Sequence, residues 1–247
     1  HAVLPHALRP DRLLVAGIEL WVSESDAAPL EQRSNQSSGY PGTVEAGQPE
    51  GDMYYVHADA HCFARHPNNP QVVFIGTDGG VFQSTNFGSS FRSLNGGLRS
   101  SQFYNGFACA TSAASPAIGG LQDNGTVVYE GRDSWKRVLG GDGAYCAVNP
   151  GNPLRMYAST QYGSHYRSSD GGDSWDNVLS SDIRAAFVSP LLLCTSNPNV
   201  LYAARQKVLR SVDGGDSWSE TNKGAVLDGN PVLVLAGSTR SADTVYA

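Results

Sequence analysis

The sequence predicts an all-β fold assembled from a repeated unit of four short antiparallel strands. Three observations lead there. An eight-residue segment, Ser168-Ser-Asp170-Gly-Gly172-Asp-Ser-Trp175, recurs 43 residues later as Ser211-Val-Asp213-Gly-Gly215-Asp-Ser-Trp218. The stretches between copies alternate apolar and polar residues and break at Asn-Pro and Gly-rich turns. Charged residues make up 16% of the chain against 28 glycines and 13 prolines, and no apolar spacing of helical period competes with the strand pattern.

The period extends along the chain. A weaker copy, Ser84-Thr-Asn86-Phe-Gly88-Ser-Ser-Phe91, lies two periods before the first full one, and Gly131-Arg-Asp133-Ser-Trp135 is the remnant between them. The aromatic positions Phe91, Trp135, Trp175 and Trp218 are spaced by 44, 40 and 43 residues. Asn-Pro turns recur at Pro70, Pro150, Pro153 and Pro198. Four short strands per period, with turn residues between them, is the grammar of a β-propeller blade.

In chain order, blade 1 covers about 1–56, with Leu13–Ala16 and Ile18–Val22 as middle strands and a polar loop from Gln32 to Asp52. Blade 2 covers 57–99, through Val72–Ile75 and Gly80–Gln83. Blade 3 covers 100–141. Blade 4 covers 142–181, with strands at Arg155–Ala158, His165–Arg167 and Trp175–Leu179. Blade 5 covers 182–226, with Val200–Ala203 and Val208–Arg210. Residues 227–247 give a partial sixth blade, with strands expected at Val232–Leu235 and Thr244–Tyr246. The expectation is one propeller domain over 1–247, five complete blades plus a partial sixth. An open blade edge exposes unpaired backbone groups, so the chain is expected to be a fragment of a larger propeller or to meet a second chain.

The recurrent segment reads as the hairpin between the third and fourth strands. Asp170 can accept backbone N–H groups across the turn, Gly171 or Gly172 can take a positive φ, and Trp175 is an apolar plug. Ser168, Asp170, Gly172 and Trp175, with Ser211, Asp213, Gly215 and Trp218, are therefore assigned to structure and not to chemistry.

These segments resemble the Asp-box, or BNR, repeats of sialidases, sortilin-type receptors, xyloglucanases and uncharacterised secreted bacterial propellers often labelled glycosyl-hydrolase-like. Two boxes match fully, two are degenerate, and the resemblance covers nearly the whole chain. It implies a propeller with Asp-box hairpins in an extracellular or periplasmic protein. It is specific for fold and poorly specific for function.

Polar residues outside the blade grammar mark a candidate site. They are Asp59-Ala-His61, Thr77-Asp78-Gly-Gly80, Gln102-Phe-Tyr104, Gln122-Asp123-Asn124, Gly141-Asp142-Gly143 and Gln161-Tyr162. They fall before innermost strands or in turns between second and third strands, places that approach the channel end of a propeller. Asp59, His61, Asp78, Gln102, Tyr104, Gln122, Asp123, Asn124 and Asp142 are the expected ligand-binding set. Each also fits ordinary turn chemistry. Asp59 and His61 alone do not make a metal site, so no metal and no cofactor is expected.

Other classes are excluded or narrowed. The net charge is −6, without a Lys/Arg run, which argues against nucleic acid. No apolar stretch reaches the ~20 residues of a transmembrane helix. Cys62, Cys109, Cys146 and Cys194 lack CxxC spacing and occupy repeat-equivalent places, so they are expected to be free, buried thiols. Asn35-Gln-Ser37 and Asn124-Gly-Thr126 match the glycan-acceptor pattern.

Two functions fit. One is a non-catalytic binding or scaffold module with a polar channel-mouth pocket for a carbohydrate or protein ligand. The other is a xyloglucanase-like glycoside hydrolase, since Thr77-Asp78-Gly-Gly80 resembles that family's Thr-Asp-x-Gly-Gly segment, one residue short. Asp78, Asp123 and Asp142 are its candidate carboxylates, and such chemistry needs a pair roughly 5–9.5 Å apart. The Arg-Ile-Pro motif and arginine triad of sialidases are absent.

Overall fold

The computed structural model of the protein describes residues 2–39, 42–44, 47–98, 101–110 and 115–247. The fold is all-β, made of propeller blades, and its chain contacts divide it into two compact units, His1–Ser100 and Ser101–Ala247.

In the first unit, β1 (Ala2–Pro5), β2 (Leu13–Ala16), β3 (Leu20–Ser23) and β4 (Glu31–Gln32) form an antiparallel sheet in chain order. A two-residue strand, β5 (Gly42–Thr43), lies in the following loop. The second sheet runs β6 (Ala60–His66), β7 (Asn69–Thr77), β8 (Gly80–Ser84) and β9 (Arg92–Ser93). Strand β2 alternates half-buried and buried residues along its length, as a strand with one core-facing side must. One core joins the two sheets: Leu14, Leu20, Val22, Ile75, Phe82 and Phe87 are each at most 1% exposed. Burial of side chains of this size stabilises by about 1.5–3 kcal/mol apiece.

In the second unit, β10 (Phe103–Cys109), β11 (Ala117–Leu121), β12 (Gly125–Tyr129) and β13 (Lys136–Leu139) pair in order. Then come β14 (Cys146–Asn149), β15 (Asn152–Thr160), β16 (Ser164–Ser168) and β17 (Asp176–Leu179). The next sheet is β18 (Leu191–Leu193), β19 (Leu201–Ala204), β20 (Val208–Ser211) and β21 (Ser219–Glu220). A two-stranded sheet, β22 (Ala236–Gly237) with β23 (Val245–Tyr246), completes the described elements. The cores lie between successive sheets. Ile118 and Val128 meet Val148 and Met156. Tyr157 meets Leu191 and Leu201, with Trp218 against them. Tyr202 and Val208 meet Val232, Leu235 and Val245.

The repeat hairpins have the expected construction. Ser168 Oγ donates to Asp170 Oδ1 at 2.7 Å and accepts Gly172 N–H at 2.8 Å. Asp170 Oδ1 also accepts the N–H groups of Asp173 and Ser174, both at 3.0 Å. Gly171 and Gly172 take φ of 80° and 99°, which an L side chain would resist. The Ser211–Trp218 copy repeats these contacts through Asp213 and Ser217. In the degenerate copy, Asn86 Oδ1 accepts Ser89 and Ser90 N–H groups in place of an Asp. The second full box is also tied to the preceding blade: Trp218 Nε1 donates to Val178 O at 3.0 Å, and Tyr157 Oη donates to Gly214 O at 3.2 Å.

Two expectations are corrected. Val232–Leu235 is not a strand. Val232 N–H donates to Arg205 O and its side chain joins the core of the preceding sheet, so pairing moves to Ala236–Gly237. The four cysteines are free, but only Cys194 is buried; Cys146 is half-buried, and Cys62 and Cys109 are exposed. Cys109 stands beside buried Ala110, and the strand's two-residue period turns it to the opposite face. Most of β6 after Ala60 is exposed, which leaves Cys62 outside the core. Of the two glycan-acceptor patterns, Asn35 is exposed in a turn, whereas Thr126 is fully buried and Asn124 donates its amide to Gln122 O.

Candidate functional site

The first unit places two of its three predicted residues together. The β6–β7 register slips between Ala60 and Cys62, and His61 stands in the slip. Its Nε2 lies 2.6 Å from Asp78 Oδ1, in the turn that joins β7 to β8. Thr77 builds that turn: its Oγ1 donates to Gly80 O and accepts Gly79 N–H, both at 3.1 Å. Gly79 must be glycine, because a Cβ there would come within 2.2 Å of the His57 ring. Asn95 completes the support, donating to Gly79 O and accepting Val81 N–H, both at 2.8 Å. Asp59, exposed just before β6, has φ 58°. His57 and Asn95 were missed because neither carries a motif.

The second unit gathers a denser cluster around Asp142, in the loop leading into β14. Asp142 Oδ1 accepts Asp123 N–H at 2.9 Å and faces the Tyr104 hydroxyl at 3.4 Å. Asp142 Oδ2 accepts the Gln161 amide at 2.7 Å. Asp123 sits at the head of the β11–β12 turn with φ 57°, a conformation Asp tolerates better than most residues. Gln122 N–H donates to Gln102 O at 2.9 Å, and Asn124 Nδ2 donates to Gln122 O at 3.0 Å. Burial, followed by the charges of Asp142 and Asp123, raises the Tyr104 phenol above its ordinary value. Tyr104 therefore stays a neutral donor at physiological pH.

Glycines bring these groups together. A Cβ on Gly143 would come within 2.2 Å of Gly125 O, and one on Gly120 within 2.3 Å of Ala144 O. The Gly-Asp-Gly run thus packs directly on the turn that carries Asp123. Gly141, at φ 74°, would meet Gln161 Oε1 at 2.6 Å if it carried a Cβ. Six of the nine predicted ligand-binding residues therefore stand in one neighbourhood, and Gln161 joins them. Gln161 stood among the polar turn residues of the sequence but outside the expected set, because a lone glutamine in a turn also fits a solvated surface.

The arrangement holds one carboxylate rigidly between two blades. Asp142 receives donors from blade 3, Asp123 and Tyr104, and from blade 4, Gln161.

No family model and no curated relative matches the chain. Among solved structures it is similar to the GH74 xyloglucanase of Xanthomonas campestris, at 16% identity and a TM-score of 0.40, over 91% of this chain and 39% of that one. It is also similar to YCF48 bound to a D1 peptide, at 14% identity and a TM-score of 0.37, over 85% and 63%. Apo AztD from Citrobacter koseri gives 11% identity and a TM-score of 0.38, over 90% and 71%. This chain spans less than two thirds of the xyloglucanase and of YCF48. Likenesses at this level carry no activity or ligand to this chain. No helix among the described residues is long and apolar enough to cross a membrane.

Proposed function

We propose that the chain is a non-catalytic binding module on a β-propeller scaffold, with the Asp142 cluster as its recognition centre. The observation that carries the reading is the satisfaction of Asp142: Asp123 N–H, Tyr104 Oη and Gln161 Nε2 surround its carboxylate. A hydrolytic general acid needs a carboxyl group moved up toward neutrality by an apolar or like-charged setting. Among the described residues, the carboxyl groups whose ionisation is displaced, Asp170, Asp182, Asp213 and Asp228, all move down because they accept hydrogen bonds. Polar groups pre-positioned on short turns between paired strands serve binding, since little ordering remains to be done when a ligand arrives.

The test is saturable ligand binding. Calorimetric titration against neutral oligosaccharides and an arrayed peptide library should find a ligand whose affinity falls at least about tenfold, or about 1.4 kcal/mol, in Asp142→Asn. A ligand bound equally by Asp142→Asn would remove the cluster from the reading.

A further inference from the structure

We infer that Tyr162 and Phe187 form an aromatic ledge that stacks the pyranose ring of a neutral saccharide beside the Asp142 cluster. This inference rests on the binding reading above and names its ligand class.

The motive is an exposed aromatic residue in a backbone conformation that does not suit it. Tyr162 occupies the middle of the three-residue turn between Thr160 and Ser164, with φ 55° and ψ 31°. The corresponding turn of the preceding blade, between Leu121 and Gly125, has Asp123 in the middle at φ 57°. Asp tolerates the left-handed region through its short polar side chain. A bulky aromatic there is an outlier, and such outliers concentrate at functional sites. Burial does not account for the choice of tyrosine, because Tyr162 is 37% exposed. Turn chemistry would be better served by Asp, Asn or Gly, so the ring itself is what the position supplies.

The ring is also braced. Tyr162 N–H donates to Phe187 O, and Tyr162 O accepts Asp182 N–H, both at 2.9 Å. The Phe187 ring meets Tyr162 edge-on, with centroids 5.3 Å apart and planes at 84°, while Phe187 is itself 43% exposed. The turn sits on the following loop so closely that a Cβ on Gly163 would lie 3.2 Å from Ser189 Oγ. A fixed aromatic surface costs little to order on binding.

The neighbouring charges select a neutral ligand. Asp182 takes Arg184 Nε at 3.0 Å and Nη2 at 2.8 Å, and lies 3.3 Å from Arg205 Nη1. Asp142 already accepts from three protein donors. A charged ligand would have to displace one of these pairings, at a cost. A pyranose asks for neither charge. It offers a C–H face to an aromatic ring and hydroxyls to amides, and Gln161, adjacent to Tyr162, brings an amide already oriented by Asp142.

The experiment is calorimetric titration of the full chain with cellohexaose, xylohexaose and mannohexaose, and with the arrayed peptides. Four proteins are compared: the natural chain, Tyr162→Asn, Tyr162→Phe and Asp142→Asn. Tyr162→Asn relieves the backbone conformation and should keep or raise the melting temperature. It should weaken binding of a hexasaccharide at least about tenfold, while Tyr162→Phe stays within about threefold. Hexasaccharide binding unchanged in Tyr162→Asn but lost in Asp142→Asn would overturn the ledge and leave the binding reading standing. Binding of a peptide with no hexasaccharide bound would overturn the saccharide class alone. A fall in melting temperature in Tyr162→Asn would show that the tyrosine serves the fold, and would also overturn the ledge. No binding in either panel would overturn both.

Discussion

The side-chain amide of Gln161 donates to Asp142 Oδ2 at 2.7 Å, linking the second-to-third strand turn of one blade to the loop that leads into that blade's first strand. Oδ1 of the same carboxylate reaches back to the preceding blade through Asp123 N–H. Asp142 is thus a clasp between blades as well as the centre of the candidate site. Asp142→Ala leaves the Asp123 N–H and the Gln161 amide without this acceptor, in a half-buried setting. It should lower unfolding free energy by about 1–3 kcal/mol. Urea denaturation followed by tryptophan fluorescence measures this, and an unchanged midpoint would show that water replaces the lost acceptor.

The box aspartates are expected to act on stability alone. Hydrogen bonds from Ser174, then Ser168, hold the Asp170 carboxyl below the usual carboxylate range. The group is exposed, so solvent takes over much of what the turn loses. Asp170→Ala should cost about 1 kcal/mol and leave ligand affinity untouched. A variant with the natural melting temperature and lost binding would refute the structural assignment.

Much of this was legible in the sequence, for local reasons. Ser168, Asp170, Gly172 and Trp175 each have one physical duty within eight residues, so the repeat announces the hairpin and its period announces the blade. Asp142 was legible as an odd Asp between two glycines. What the glycines do was not, because Gly143 meets Gly125 and Gly120 across a gap between blades, and no local pattern records that approach. The left-handed backbone of Tyr162 is likewise invisible in a string where Gln-Tyr-Gly reads as any turn. The exposure of Cys62 and Cys109 was misjudged by treating repeat-equivalent positions as equally enclosed.

Acid should destabilise the second unit through His165. Its side chain is almost fully buried, and burial, with Arg205 nearby, pulls the imidazole down to about 3. The unfolded value is near 6.5, so the unfolded state binds the proton first as pH falls. The neutral histidine's stability is therefore complete above about pH 6.5 and is lost on the way down to about 3, at up to about 1.4 kcal/mol per pH unit. Asp182, drawn down to about 2 chiefly by Arg184, adds loss only below its unfolded value near 3.9. Denaturation midpoints between pH 7 and 4 should fall in the natural chain and fall less in His165→Leu. Parallel profiles would contradict this.

The thiols should separate by accessibility. Cys62 and Cys109 are exposed and should alkylate readily in the native protein. Burial pushes the Cys146 thiol up to about 12 and also raises Cys194, so half-buried Cys146 should react more slowly than the exposed pair and buried Cys194 slowest of all. Peptide mass spectrometry of a native iodoacetamide time course checks the order, and early labelling of Cys194 would contradict it.

The most direct test of the non-catalytic reading is product analysis by mass spectrometry. Cellohexaose, xyloglucan oligosaccharides and mannohexaose are held with micromolar protein for several days beside a protein-free control. The account predicts that every oligosaccharide is recovered intact, with no excess of shorter products over the control. Shortened products that disappear in Asp142→Asn or Asp78→Asn would contradict it and make the site hydrolytic.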